Sequence, residues 1–172
     1  LEYLDLGGGF GIDNNKTNKF NFSEYGKRVT KLMEDISDKL NKNIKLILEP
    51  GRIIGAEAGF FITKVIDIKQ RADKKVVVLN ASVVQFPRPL FYHDDGFHPV
   101  YIFNQNGIYK ENSNQRSMIV GCSTYSRDIF IDDVELAETE IGDYLAFGNA
   151  GSYCSGSYTQ FLGFDKPKEY FI

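Results

Sequence analysis

The chain has 172 residues, 42% of them hydrophobic and 25% charged, enough apolar material for one ordinary domain or two small ones. A formal net charge of −3 and the lack of any long basic run argue against nucleic acid or a membrane surface as partner. Two cysteines, Cys122 and Cys154, without Cys/His zinc spacing, exclude a disulfide framework and a zinc module and fit reduced thiols in a cytoplasm.

No apolar run approaches the ~20 residues needed to span a bilayer, and no signal peptide is visible. Leu1 to Leu6 alternate and then turn apolar like a strand entering a core, and because the chain opens directly on this strand, further chain is expected ahead of Leu1. Gly7-Gly8-Gly9 stops the strand, Asp13 to Asn21 reads as a loop, and Ser23 is the expected helix cap. Tyr25, Val29, Leu32, Met33, Ile36 and Leu40 then recur at helical spacing up to Asn41. Ile44 to Leu48 reads as a short buried strand ended by Glu49-Pro50-Gly51, so this segment is a strand–helix–strand unit with parallel strands.

After residue 59 the texture changes to short strand-like runs: 60–68, 75–79, 99–103, 117–120, 128–134 and 143–147. The turns between them are rich in Gly, Asn and Asp, Asn106-Gly107 suits a hairpin, and residues 83–92 have room for one short helix. The expected organisation is the tail of an α/β unit over residues 1–59 and a mostly β domain over residues 60–172.

Gly7, Gly8 and Gly9 follow a strand and precede a helix, where backbone N–H groups can converge on an anion; a plain tight turn is the alternative. Glu49-Pro50-Gly51-Arg52 ends the second strand of the same unit, and ligands of parallel α/β folds sit at such ends. A carboxylate beside a guanidinium suits a ligand with a basic nitrogen and a phosphate, or else is a structural ion pair.

These motifs, in this order, carry a resemblance. Asp5-Leu6-Gly7-Gly8-Gly9-Phe10 and Glu49-Pro50-Gly51-Arg52 look like the glycine and Glu-Pro-Gly-Arg signatures of the fold-type III, pyridoxal-phosphate-dependent decarboxylases, the diaminopimelate/ornithine decarboxylase family. Gly142-Asp143, Gly151-Ser152-Tyr153 and Phe161-Leu162-Gly163-Phe164 look like that family's C-terminal series. The resemblance implies an α/β fold, the C-terminal part of a (β/α)8 TIM-type barrel followed by a mostly β, Greek-key barrel-like domain. It implies pyridoxal 5'-phosphate as cofactor, its phosphate held by Gly7 to Gly9, Gly51, Arg52 and Tyr153, with Glu49 facing the pyridine nitrogen. It further implies a cofactor lysine upstream of Leu1, so that residues 1–172 need their N-terminal half, and a homodimer with loop 121–128 donated across the interface.

Arg88-Pro89-Leu90-Phe91-Tyr92 matches the Arg-Pro-x-x-Tyr pattern of the diaminopimelate branch, which makes Arg88 and Tyr92, with the neighbouring His93, candidate substrate-binding residues. A guanidinium fork and a carboxylate pair bidentately. Where the family has Gly-Pro-x-Cys-(Asp/Glu)-x-x-Asp, this chain has Gly121-Cys122-Ser123-Thr124-Tyr125-Ser126-Arg127-Asp128. Thr124 stands at the proton-donating cysteine and Tyr125 at the acid that meets the substrate amine, while Cys122 lies two positions earlier. Thr124 and Cys122 are therefore the candidate catalytic residues and Tyr125 a candidate substrate-binding one. The expected function is a cytoplasmic decarboxylase for an amino acid, or amino-acid-derived intermediate, with a second carboxylate or polar end. A racemase of the same fold and a catalytically silent partner are the alternatives.

Overall fold

Asn21, not Ser23, starts the long helix: its side-chain oxygen accepts the Glu24 N–H at 3.0 Å, and Ser23 lies inside the first turn of α1 (Phe22–Leu40). An Asn two residues upstream outcompetes the serine because its carbonyl already reaches the third N–H. At the far end Asn41 takes the left-handed conformation (φ 48°) and its N–H closes on Asp38 O and Ser37 O. The strands flanking this helix, β1 (Tyr3–Asp5) and β2 (Lys45–Ile47), pair in parallel with Tyr3 opposite Lys45 and Asp5 opposite Ile47. The computed structural model describes residues 1–12, 20–92, 98–111 and 113–172.

Contacts divide the chain into a unit of Leu1–Ile54 and one of Gly55–Ile172. In the first, β2 is not the buried strand its sequence suggests: Ile44 is buried, but Leu46, Ile47 and Leu48 are exposed. Among the described residues, nothing in the unit covers them. Its apolar side is instead an open cleft of about 550 Å³ lined by Phe10, Tyr25, Val29, Leu46, Leu48 and Ile53, among others.

The first unit ends in α2 (Arg52–Gly55), and the second continues through a 3-10 turn (Ala56–Ala58) to β3 (Phe61–Arg71) and β4 (Lys74–Leu79), the short α3 (Arg88–Phe91) and, among the described residues, five further strands. These are β5 (Val100–Phe103), β6 (Tyr109–Lys110), β7 (Gln115–Val120), β8 (Ile129–Leu136) and β9 (Tyr144–Phe147). The sheet order is β6-β5-β9-β3-β4-β7-β8, antiparallel except for the parallel β4–β7 pair. The mostly β expectation for this stretch is met. β3 pairs with β9 over residues 61–64 and with β4 over residues 65–71, the β4 ladder carrying a bulge between Val65 and Asp67. Such a bulge bends and twists the strand, so one strand serves both halves of the sheet. The core lies against it: Val65, Val77, Leu79, Ile119, Leu145 and Phe147 are buried, and the Phe61 and Phe86 rings stack at 4.7 Å. Asn104 shapes the β5–β6 hairpin by accepting the Asn106 and Ile108 N–H groups on its side chain, with Gly107 at φ 77°.

One ion pair is built into this unit. Asp143 is almost fully buried, and accepts the Glu140 N–H at 2.8 Å and the Lys110 ammonium at 3.0 Å. Burial alone would lower the Lys110 pKa, but the hydrogen bond and charge of Asp143, helped by Glu140, outweigh it and hold the lysine above its ordinary value of 10.5. A pKa raised on folding contributes stability in full below the unfolded value and loses it as pH climbs through the folded one. Lys110→Met should therefore destabilise the intact protein by about 3 kcal/mol near neutrality, because it strands a buried carboxylate. In urea unfolding measured from neutral to alkaline pH, the gap to wild type should hold and then narrow above pH 10.5.

Candidate functional site

The glycine triplet continues the β1–β2 ladder beyond its last regular pair. Leu6 N–H donates to Ile47 O at 3.1 Å and Glu49 N–H to Gly7 O at 2.8 Å, so the two strand ends stay joined through the motifs. Gly7 and Gly9 hold φ of 67° and 80°, and the Gly7 N–H is tied back to the Asp5 carboxylate. At Gly8 the requirement is steric: a Cβ would stand 2.3 Å from the Glu49 carbonyl oxygen. Beyond Gly7 and Gly9 there is open space where a Cβ would point, and among the described residues the Gly8 and Gly9 N–H groups have no hydrogen-bond partner. Open space over unused N–H donors at a strand end fits a phosphate. Glu49 is exposed at the same end, and Gly51 leads into α2, whose first residue is the half-buried Arg52.

In the second unit, Ala150 N–H donates to Gly59 O and Gly151 N–H to Ala56 O, both at 2.9 Å. The two backbones lie so close that a Cβ on Gly151 would fall 1.9 Å from Gly55 O. This crossing presents Tyr153, which sits in the left-handed region (φ 58°) and is 55% exposed. A tyrosine held there costs of order 1 kcal/mol, and such strain clusters at ligand sites. Arg88 starts α3 with its side chain buried, and its guanidinium lies 4.4 Å from the centre of the half-exposed Tyr92 ring. The structure thus brings Arg88 and Tyr92 together, as the pattern suggested; His93 lies outside the described residues.

Loop 121–128 is organised by an acid whose role the sequence did not disclose. Asp128 is buried and its carboxylate accepts the Val83 N–H (2.8 Å), the Ser82 hydroxyl (3.1 Å) and the Ser123 N–H (2.9 Å). Gly121 lies against it, since a Cβ there would come within 2.3 Å of the carboxylate. The Gly–x6–Asp spacing was the available signal, but nothing in it says that the acid faces inward. Cys122 and Thr124 are exposed, with the Cys122 N–H held by Ala81 O at 3.0 Å. Partial burial, then the Asp128 charge, push the Cys122 thiol above its ordinary 9.0, against a smaller lowering effect of its own backbone N–H. Tyr125 packs against the core, its ring edge-on to Phe161 at 5.7 Å, so much of it serves the fold. His98 is likewise structural, buried with Nδ1 2.7 Å from Gly148 O. Among the described residues no group of three or more His, Cys, Asp or Glu side chains is placed to hold a metal, and no helix is long and apolar enough to cross a membrane.

Comparison with known proteins gives a consistent family. The family model described as the C-terminal sheet domain of pyridoxal-dependent decarboxylases matches residues 12–151. A diaminopimelate decarboxylase of Helicobacter pylori is 29% identical over 161 residues, which cover 94% of this chain and 37% of that protein. A 2-[(L-alanin-3-ylcarbamoyl)methyl]-2-hydroxybutanedioate decarboxylase of Staphylococcus aureus is 28% identical over 173 residues, covering 98% of this chain and 42% of that protein. The crystal structure of diaminopimelate decarboxylase from M. jannaschii in complex with L-lysine superposes with a TM-score of 0.81 at 30% identity, covering 97% of this chain and 37% of that one. The chain therefore spans about two-fifths of the length of the relatives it matches.

Because the Cys122 pKa is raised, its thiol stays protonated through neutral pH, and only the thiolate reacts with iodoacetamide. Labelling of Cys122, followed by peptide mass spectrometry, should reach its half-maximal rate above pH 9.0, and Asp128→Asn should move that midpoint down. A midpoint below that of a free thiol in the native protein would contradict the loop geometry.

Proposed function

The chain belongs to the pyridoxal-dependent decarboxylase family, and on that footing we propose that the whole protein is a pyridoxal 5'-phosphate-dependent amino-acid decarboxylase. The observation that carries this reading is the open glycine triplet joined to Glu49 at the ends of two parallel strands, with unused N–H groups over clear space. In this reading the first unit closes a (β/α)8 barrel whose other strands cover its apolar cleft, the sheet unit is the Greek-key barrel-like domain, and the protein works as a homodimer. When bound, the cofactor supplies an electron sink for the bond that releases carbon dioxide.

The residues of this chain have distinct tasks. Gly8 and Gly9 offer N–H groups to the phosphate, Gly7 supplies the turn that exposes them while its own N–H is held by Asp5, Arg52 adds a guanidinium fork, and Tyr153 is assigned as a hydroxyl donor to an oxyanion. Gly51 keeps the approach to Arg52 free of a side chain. Glu49 accepts a hydrogen bond from the pyridine nitrogen and keeps it protonated. Cys122, whose thiol holds its proton at neutral pH, is the better proton donor to the substrate carbon, with the neighbouring Thr124 hydroxyl as the weaker one. Arg88 and Tyr92, joined by His93, bind a polar or carboxylate end of the substrate, and Tyr125 forms the wall beside it.

The substrate is an amino acid, or an amino-acid-derived intermediate, with a second carboxylate or polar end. Support comes from the Arg88–Tyr92 pair and from the Staphylococcus aureus relative, named for a carboxylate-rich substrate. The decarboxylase names of the matched relatives do not favour the racemase or silent-partner readings.

The test is carbon dioxide release by the full-length protein over a panel of amino acids, with cofactor content read by absorbance. Gly8→Ala, whose Cβ has no room beside Glu49 O, and Arg52→Ala should each lower cofactor retention about tenfold or more. Full cofactor loading with no carbon dioxide from any dicarboxylic or diamino substrate would sink the proposal.

A further inference from the structure

The only acid in loop 121–128 is Asp128, and the fold consumes it. Oδ1 accepts from Val83 N–H and the Ser82 hydroxyl, and Oδ2 from Ser123 N–H, all inside the unit. Turning this carboxylate outward would leave three buried or half-buried donors without an acceptor, which makes the loop a poor device for presenting negative charge. The backbone is fixed as well: Gly121 N–H donates to Asp128 O, Cys122 N–H to Ala81 O, and Asp128 N–H to Tyr125 O. The Tyr125 N–H is bound by the Ser123 hydroxyl.

What such a loop shows to its surroundings is therefore set by its exposed residues, Cys122, Thr124, Ser126 and Arg127. They carry a thiol, two hydroxyls and a guanidinium. Arg127 makes no ion pair among the described residues, so its charge is not spent on the fold. An edge of protic groups around an exposed cation complements an oxyanion and mismatches an ammonium group.

We propose that Arg127, with the hydroxyls beside it, is a specificity-determining residue that reads a carboxylate at the far end of the substrate. This rests on the decarboxylase reading, which brings the loop to the substrate. An exposed guanidinium gains little from a free carboxylate in water. A substrate already held by its amino-acid end has paid most of the entropy of association, so a planar, bidentate contact at its other end shows up as affinity.

The experiment titrates the full-length, cofactor-loaded protein with L-2-aminoadipate and with L-lysine by isothermal calorimetry. The two ligands share the amino-acid end and differ in carrying a carboxylate or an ammonium group at the other. L-2-aminoadipate should bind about tenfold more tightly, Arg127→Ala should cut that preference severalfold by weakening L-2-aminoadipate alone, with Arg88 and Tyr92 retaining the rest, and Arg127→Lys should keep more of it. The proposal is overturned if L-lysine binds as tightly, if L-2-aminoadipate does not bind, or if Arg127→Ala leaves the preference unchanged. The readout is binding rather than turnover: selective binding of L-2-aminoadipate without carbon dioxide release from any substrate would refute the decarboxylase reading and uphold this one.

Discussion

The sheet unit depends on the bend in β3. One strand of 11 residues pairs with β9 by its first part and with β4 by its last, and the bulge at Val65/Asp67 follows directly on the change of partner, inside the β4 ladder. Val65, at the bend, is buried, and the aromatic groups that fill the interior gather beside the first half: Phe61 on Phe86, and Phe86 near Phe147. A straight strand of this length would carry its second half away from that core and leave β4, β7 and β8 as a separate layer with one face uncovered. The bend also lets the chain before β3 run beside the chain after β9, where the Gly55–Gly59 and Gly151 backbones touch. The exposed, strained Tyr153 is two residues from that contact, so the position of a candidate ligand group follows from how one strand is shared.

Two buried acids show how the fold separates scaffold from chemistry. Asp143 is balanced by a cation, Lys110, while Asp128 is balanced by neutral donors. Each sits near a glycine that only the absence of a side chain permits: Gly142, at φ 96°, meets the Gln105 side chain, and Gly121 meets the Asp128 carboxylate itself. A buried carboxylate without hydrogen bonds would cost several kcal/mol, so these loops are fixed by the need to satisfy their acids. The inner side of loop 121–128 is thus set by folding, and its outer side is left free to differ in chemistry.

Much of this was legible in the chain. The apolar alternation located the strands of the sheet to within a few residues, except β6, whose two residues, Tyr109 and Lys110, are too few to show a period. The helix was evident from its spacing, but the choice of cap between Asn21 and Ser23 depends on which side chain reaches Glu24 N–H, and composition does not encode that. The burial expected of Ile44 to Leu48 failed for a different reason: an apolar strand states that it is to be covered, not by what. Glycine signatures marked Gly8, Gly121 and Gly151 without revealing why, since the contacting atoms of Glu49, Asp128 and Gly55 are set by register and by long-range crossings. The parallel β4–β7 pairing was equally invisible, because strand order is a property of the whole chain.

The least legible residue was Tyr125. As a sequence position it reads as a substrate contact, but its ring lies against the core and edge-on to Phe161. A side chain half committed to packing can shape a wall but cannot swing to follow a ligand. An aromatic ring at this position therefore adds no charge to the loop's edge and ties that side of the loop to the core. With Asp128 turned inward, the edge keeps Arg127 as its one ionised group. An edge of one sign discriminates by what it repels as much as by what it attracts, because an ammonium group brought to it loses water and finds no acceptor of opposite charge.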